Sequence, residues 1–351
     1  MNRLFRALVL AVLASLALAR GAAAAPPDPV AAAAARPKGV PMGVTLGFYI
    51  FDVRDVDLKG QKFYADFYMW MRYPALPEAE SATAAEVEKF EFMNGKAESK
   101  DELDRKTLPS GETYICWRIA GTFHFAAQLR NYPFDTQNLE LIVEHPSKEI
   151  HEVVYQSDAG SYQRSGAKKD FWGAKEDLDI PEFTLKGTDQ RPRASEYKTD
   201  FGDTSKPEAS KSVYSRFVFS MKFTRDFMPY FFKIIIPLIV IMAMAYLVFF
   251  LPAKEIQSAS GLSITALLSC IAFNITVSQN LPEVGYLVVS DKFFLCTYIL
   301  LFLTLLQSVL TYAADDAGKD VSRWDNLSRI VFPILYVSAF AYLLVQALTA
   351  N

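Results

Sequence analysis

The chain has 351 residues, 51% of them hydrophobic and 21% charged, with a formal net charge of -3. That mixture is too apolar for an ordinary soluble protein of this length and too charged for a chain lying wholly within a membrane, and no basic run recruits nucleic acid. The three cysteines and three histidines are scattered, without the short ligand spacings that hold a metal, and nothing implies a cofactor.

The charge is unevenly spread. Most Asp, Glu, Lys and Arg fall between about Val40 and Arg225, and the last third is largely apolar, which reads as one water-facing domain followed by one membrane domain. Residues 1–25 read as a secretory signal: Arg3 and Arg6 start it, Ala7 to Ala19 form its apolar core, and Ala23 to Ala25 supply a small-residue cleavage site. The apolar core is too short for the roughly 20 residues of a membrane span, and Arg20 interrupts it. Residues 26–40, rich in Ala and Pro, read as a flexible leader. In the exported domain, residues 41–224, Cys116 is the single cysteine, so no disulfide forms within it.

From Gly47 to Phe223 short alternating runs recur, among them 47–53, 62–73, 112–125, 138–144 and 213–223, rich in aromatic and β-branched residues. Turn clusters separate them at Leu58-Lys59-Gly60, Pro109-Ser110-Gly111, Ser157 to Gly160 and Lys206-Pro207. Short strands without intervening amphipathic helices predict an all-β, immunoglobulin-like antiparallel sandwich. Residues 77–88 are the one candidate helical insertion.

After Arg225 the period changes. The membrane domain, 225–351, carries four apolar segments at about 230–251, 256–279, 293–313 and 330–348, each of bilayer length. An even number of spans returns the C-terminus to the exported side, and the signal sets the orientation. Pro237 lies inside the first span, where it frees a backbone carbonyl and softens the helix. The second segment is unusual. Ser258, Gly261, Thr265, Leu268, Ala272, Ile275, Thr276 and Gln279 recur at helical spacing and share one face. A hydroxyl in hydrocarbon must find a partner or water, so this face either packs on a polar neighbour or lines a wet path.

Three motifs bear on that choice. Tyr132-Pro133-Phe134-Asp135, followed by Thr136-Gln-Asn-Leu139, is similar to the F/Y-P-F-D-x-Q signature of the pentameric ligand-gated ion channels, the Cys-loop receptor superfamily. Arg225 stands just before the first span, where that family keeps an Arg. Ile271-Ala-Phe-Asn274 and Asn280-Leu-Pro282 resemble its acid-gated bacterial members. Phe125 and Leu139 occupy the positions of the family's paired cysteines, a replacement found in bacterial members, so the loop between them must be held by packing of Tyr132, Pro133 and Phe134.

The resemblance implies a β-sandwich ligand-binding domain, a four-helix transmembrane domain and a homopentamer, in which each chain meets four further identical subunits, membrane lipids and permeant inorganic ions. It assigns the second-span face to the pore wall, with Leu268, Ala272 and Ile275 as an apolar gate that blocks ions by dewetting. Glu255 at the cytoplasmic mouth would form a ring of five carboxylates favouring cations; Lys254 is adjacent, and Ala259 stands where anion-selective members carry an Arg. The resemblance further implies that Asp135 and Arg225 meet a β1–β2 loop acid, Asp57 with Asp55 in reserve, and that Pro282 and Glu283 begin the loop receiving the push. At the ligand site, Met93 and Pro146 replace aromatic residues of amine receptors, and the loop from about Thr199 to Ser212 lacks an adjacent Cys pair, which disfavours an aminergic agonist. Tyr197, Phe201 and Tyr214 either face a ligand or pack the strands, and Glu144 and His145 are candidate proton-responsive groups.

The expected protein is therefore a ligand- or proton-gated ion channel of a bacterial inner membrane with its sandwich in the periplasm. Its competitors are a non-conducting membrane-anchored sensor and an anion-selective channel of the same family. A transporter fits less well, since the spans hold no charged midplane residue and no inverted repeat, and no catalytic constellation points to an enzyme.

Overall fold

The computed structural model of the chain describes residues 41–74, 85–203 and 211–349. The expected signal and leader, residues 77–84 of the candidate insertion and the tip of the 199–212 loop lie outside the described residues. Residues 85–87 form a single helical turn.

The first part is a β-sandwich. Its strands are β1 (Met42–Asp57), β2 (Lys62–Pro74), β3 (Glu91–Phe92), β4 (Gly95–Thr107), β5 (Glu112–His124), β6 (Thr136–Glu144), β7 (Val153–Ser157), β8 (Asp179–Ile180), β9 (Phe183–Tyr197) and β10 (Ser212–Arg225). They form two five-stranded sheets, ordered β4-β5-β2-β1-β7 and β3-β6-β10-β9-β8. Pairing is antiparallel except for β1 with β7.

Strict alternation along β2 sends Phe63, Ala65, Phe67, Met69, Met71 and Tyr73 inward, the period-2 pattern of a strand with one buried face. The sheets meet through aromatic rings: Phe48 of β1 stacks on Phe217 and Phe219 of β10, with centroids 5.6 and 5.1 Å apart. Gly47 is required by a close approach, because a Cβ there would lie 2.2 Å from the Trp70 ring on the paired strand. The charged strand β4 departs from the expected runs. Its sequence GKAESKDELDRKT buries no residue, so it carries no hydrophobic alternation, and its place at a sheet edge rests on backbone pairing with β5.

Four helices follow that are long and apolar enough to cross a membrane: α2 (Phe227–Phe250), α3 (Ile256–Ser278), α4 (Val289–Asp316) and α5, spanning Ser322–Thr349. A short helix, α1 (Ala159–Arg164), precedes them in the sandwich. Helix α2 opens with one α-turn, passes through a π-helical turn at Phe231–Ile235 and becomes regular from Ile236. Pro237 stands two residues past the end of that π turn, and its missing N–H accounts for the irregular ladder there. Thr297 and Thr304 of α4 are fully buried, and each hydroxyl donates to a carbonyl one turn back, at 2.9 Å, so neither is left unpaired in an apolar layer. At the far end, Arg329 Nε of α5 donates to the Phe249 carbonyl at 2.9 Å and Tyr246 Oη donates to the Arg329 carbonyl at 2.8 Å, which satisfies an orphan carbonyl at the end of α2.

Candidate channel sites

Helix α3 has one covered side. Ala259, Ser263, Ala266 and Cys270, spaced by four, three and four, are buried where α3 packs on α4 and α2. Every residue of the sequence-derived stripe, from Ser258 through Gly261, Thr265, Leu268, Ala272, Ile275 and Thr276 to Gln279, is exposed. At 100° per residue the two sets lie on opposite sides of the helix. Leu268 is 61% and Ile275 55% exposed, so the chain does not use this face for its own packing. Glu255 precedes the helix, and the Ser258 hydroxyl donates to its carboxylate at 3.3 Å, which holds that carboxylate over the first turn of the exposed face.

The junction between sandwich and helices is built around Arg225, the last residue of β10. Its side chain and that of Asp135 are each 1% exposed. Arg225 Nε donates to Asp135 Oδ1 at 2.7 Å and Nη2 to Oδ2 at 3.1 Å, a bidentate pair. Nη1 donates to Tyr230 Oη at 2.8 Å and lies 3.5 Å from Glu182 Oε2, while the Tyr230 hydroxyl donates to Glu182. The guanidinium carbon sits 4.4 Å from the Phe183 ring centroid and 5.2 Å from that of Tyr132. Burial opposes the charge, but the Asp135 hydrogen bonds and charge outweigh it, and the Arg225 pKa is raised.

The Tyr132-Pro133-Phe134-Asp135 segment is buried and docks on the membrane helices. Phe134 stacks on Phe227 at 4.6 Å and Tyr132 meets Tyr230 edge-on at 5.7 Å. The carbonyls of Arg130 and Tyr132 accept from Val289 N and Ser290 N at 3.2 and 3.0 Å, so the sandwich supplies partners for the orphan N–H groups that open α4. In the 280–288 connection Pro282 is half-buried and Glu283 exposed. Tyr286 of that connection lies under Arg130, 5.1 Å from its guanidinium.

One expectation is corrected here. Asp57 does not pair with Arg225: its Oδ1 accepts from Gly60 N at 2.9 Å and closes its own turn. Asp55, the reserve, is exposed with a φ of 54°. The second acid at Arg225 is Glu182, from the β8–β9 turn. The β1–β2 turn instead reaches the membrane helices through Lys59, whose Nζ donates to the Gln279 carbonyl at 3.1 Å, at the C-terminal end of α3.

A cavity of about 760 Å³ opens at the far end of the β9–β10 ribbon. Glu144, His145, Tyr197, Phe201 and Tyr214 all line it, together with Met93 and Pro146. Tyr197, Phe201 and Tyr214 form an edge-to-face trio with centroids 5.5 to 6.2 Å apart, and Phe201 is 60% exposed, so the trio is not strand-core packing. Glu144 is buried and ion-paired with Arg216, and accepts from Tyr197 Oη at 2.9 Å. His145 is buried. Its Nδ1 accepts from Ser147 N at 3.1 Å and Lys148 N at 2.7 Å, and Nε2 lies 2.7 Å from the Glu86 carbonyl. Those partners require a neutral ring protonated on Nε2. Burial lowers the His145 pKa, and the nearby Lys148 charge adds to this, against the Glu86 carbonyl and the Glu86 and Glu152 carboxylates.

Comparison with known proteins agrees with this geometry. Residues 234–324 match the neurotransmitter-gated ion-channel transmembrane region. Over 329 residues the chain is 21% identical to the proton-gated ion channel of Gloeobacter violaceus, covering 90% of this chain and 84% of that one. It is 22% identical over 293 residues to pH-sensitive chloride channel 2 of Drosophila melanogaster, covering 76% and 53% of the two. It is 23% identical over 209 residues to the gamma-aminobutyric acid receptor subunit beta-like of the same fly, covering 59% and 38%. The chain thus spans most of the first relative and about half or less of the other two. With its sandwich, its four helices and these matches, the chain resembles the pentameric ligand-gated ion channels, or Cys-loop receptors, whose transmembrane region residues 234–324 match. The four apolar helices and the channel relatives make it a multi-pass membrane protein with an extracellular domain, similar to ion channels and not to enzymes.

Two measurements follow. Asp135→Asn takes the bidentate counter-ion from the buried Arg225 charge, leaving only the partly exposed Glu182 at 3.5 Å, and is expected to cost about 3–5 kcal/mol, whereas Asp57→Asn keeps an acceptor for Gly60 N and stays within about 0.5 kcal/mol. Unfolding in detergent measures both, and equal losses would contradict the arrangement. For His145 the folded pKa is lowered, so its stabilisation is present above the ordinary histidine value near 6.5 and is lost as pH falls below it. Gln supplies one donor and one acceptor without titrating, so His145→Gln is expected to flatten the fall in melting temperature between about pH 6.5 and 5. Parallel pH slopes for the two proteins would count against it.

Proposed function

We propose that five copies of this chain form a homopentameric, cation-selective channel gated by a ligand or by protons acting on the sandwich. The observation that carries the reading is the bare face of α3. A helix in a bilayer that leaves Thr265, Gln279 and the Glu255 carboxylate at its start exposed needs water or a polar neighbour there, and five such faces around an axis enclose a wet path. In that ring Thr265 hydroxyls replace part of an ion's hydration shell, and Leu268, Ala272 and Ile275 form the apolar constriction.

Selectivity for cations is supported at the mouth. The Ser258 bond keeps the Glu255 carboxylate on the pore side of the first turn, where five carboxylates raise the local cation concentration. The stimulus acts at the cavity, where Glu144, His145, Tyr197, Phe201 and Tyr214 converge. Protonation of His145 removes the acceptor for Ser147 N and Lys148 N, loosening the turn at the cavity floor, and a relative is itself named a proton-gated channel. Asp135, Arg225, Tyr132, Pro133 and Phe134 carry the change to α2 and α4, with Pro282 and Glu283 receiving it. The expected signal at residues 1–25 and the bacterial relative support an inner membrane with the sandwich in the periplasm.

Protein reconstituted in planar bilayers is expected to carry current on acid steps, with Leu268→Ala altering its open fraction. In a salt gradient the reversal potential should lie on the cation side and move toward zero with Glu255→Gln. A silent bilayer across pH and ligands would favour a non-conducting sensor, and an anion-directed reversal unchanged by Glu255→Gln would overturn cation selectivity.

A further inference from the structure

We infer that residues 158–175 form a strap latched by one tyrosine hydroxyl, and that the strap, with Tyr162 as its positioning residue, sets the channel's resting equilibrium by tying β1 to β9. The gating part rests on the channel reading above; the latch does not. On the side away from β2, strand β1 has β7 as its partner only as far as Leu46, opposite Ser157. Asp158 N donates to the Leu46 carbonyl at 3.0 Å, and the paired strand ends there. Phe48, next along the open edge, is fully buried, so an unpaired N–H or C=O on it would carry the full desolvation penalty. The Tyr162 hydroxyl meets both groups: it accepts from Phe48 N and donates to Phe48 O, each at 2.8 Å. A hydroxyl suits this place because one atom both donates and accepts. Two residues on, Ile50 N donates to the Gly173 carbonyl at 2.9 Å, and the Ile50 carbonyl accepts from Lys175 N at 3.0 Å. The strap thus continues the ladder that β7 begins, with a side chain as one rung.

The latch is held from several sides. Tyr162 is 4% exposed, and its ring lies 5.6 Å from that of Trp70 on β2 and stacks on Trp172 at 5.8 Å. The Asp158 carboxylate accepts from Trp70 Nε1 at 2.8 Å, from Arg72 Nη2 at 2.6 Å and from Ser161 N at 3.2 Å, where α1 begins. Gly173 has a φ of +83°, and a Cβ there would lie 2.6 Å from the Phe219 ring and 2.9 Å from the Phe48 carbonyl oxygen, so the strap passes between β1 and β10 on a residue that must be Gly. The other sheet holds it too. The Trp172 carbonyl accepts from Thr188 Oγ1 of β9 at 2.6 Å and from Gln190 Nε2 at 3.5 Å. One segment therefore bonds to both sheets. Strand β9 ends at the cavity with Tyr197, and β1 runs to the turn whose Lys59 meets the Gln279 carbonyl of α3, so a displacement of β9 is passed to β1 across the strap. A rung made by one side chain opens without unpairing either sheet.

The experiment uses the full-length protein and two readouts. The first is amide hydrogen exchange in detergent, which needs no current. Tyr162→Phe is expected to speed exchange at Phe48 at least about tenfold, and Tyr155→Phe less than about twofold. Tyr155 is the control because it is equally buried and its hydroxyl has no partner among the described residues. The second is the open-to-closed ratio of single channels in a Leu268→Ser background, where a polar gate leaks without agonist. Tyr162→Phe and Thr188→Val are each expected to change that ratio at least about threefold in the same direction, the double variant no further than the larger single change, and Tyr155→Phe less than about twofold. Thr188→Val keeps the test decisive if Tyr162→Phe does not assemble. Unchanged exchange at Phe48 in Tyr162→Phe, an unchanged ratio in Tyr162→Phe or Thr188→Val, an additive double variant, or Tyr155→Phe matching Tyr162→Phe would each overturn the inference. Assembled Leu268→Ser protein that carries no current would instead count against the channel reading, with the latch still judged by exchange.

Discussion

One buried ion pair, Arg225 with Asp135, stands at the centre of the junction between the sandwich and the membrane helices. Arg225 and Asp135 are both almost fully removed from water, and two such charges are tolerable because the bidentate geometry, the Tyr230 hydroxyl and Gln137 use their hydrogen-bonding capacity. The pair joins the strand that ends the sandwich to the loop that seats on α2 and α4. Removing Asp135 would leave the buried guanidinium facing only the partly exposed Glu182 carboxylate at 3.5 Å, so the pair is a strong restraint on the junction. The same loop caps α4 through two backbone carbonyls, which makes the junction resistant to sliding.

That rigidity gives the rest of the molecule its logic. The cavity and the junction sit at opposite ends of one antiparallel ribbon, and the ribbon meets α2 where Pro237 and the π turn have already loosened the helical ladder. Helix α3 is packed on α2 and α4 along Ala259, Ser263, Ala266 and Cys270, and its opposite face is bare.

Local periodicity made much of this legible in the sequence. The α3 stripe is a matter of helical spacing within 22 residues, and all of its members lie on the exposed face. The alternating β2 and β10 runs were readable for the same reason. Strand β4 was not, because a charged edge strand buries nothing and is defined by pairing with β5. Glu182 was not either: a Pro-Glu dipeptide signals a turn, but only the fold brings that carboxylate to an arginine 43 residues away. The resemblance pointed to Asp57 for that role, and the turn chemistry of Asp57 with Gly60 shows why it is occupied elsewhere. The cavity residues lie at five separate positions in the sequence, and they converge because one sheet sets β6, β10 and β9 side by side.

The central claim is that the face bearing Ser258, Thr265 and Ala272 lines the ion path while the seam bearing Ala259, Ser263 and Ala266 does not. Single cysteines at these six positions, in a channel whose Cys116, Cys270 and Cys296 are replaced by Ala, test it with a charged water-soluble thiol reagent during current recording. The account predicts that the reagent blocks current at 258, 265 and 272 and leaves 259, 263 and 266 unaffected. Block at the seam positions with no effect on the stripe would contradict it.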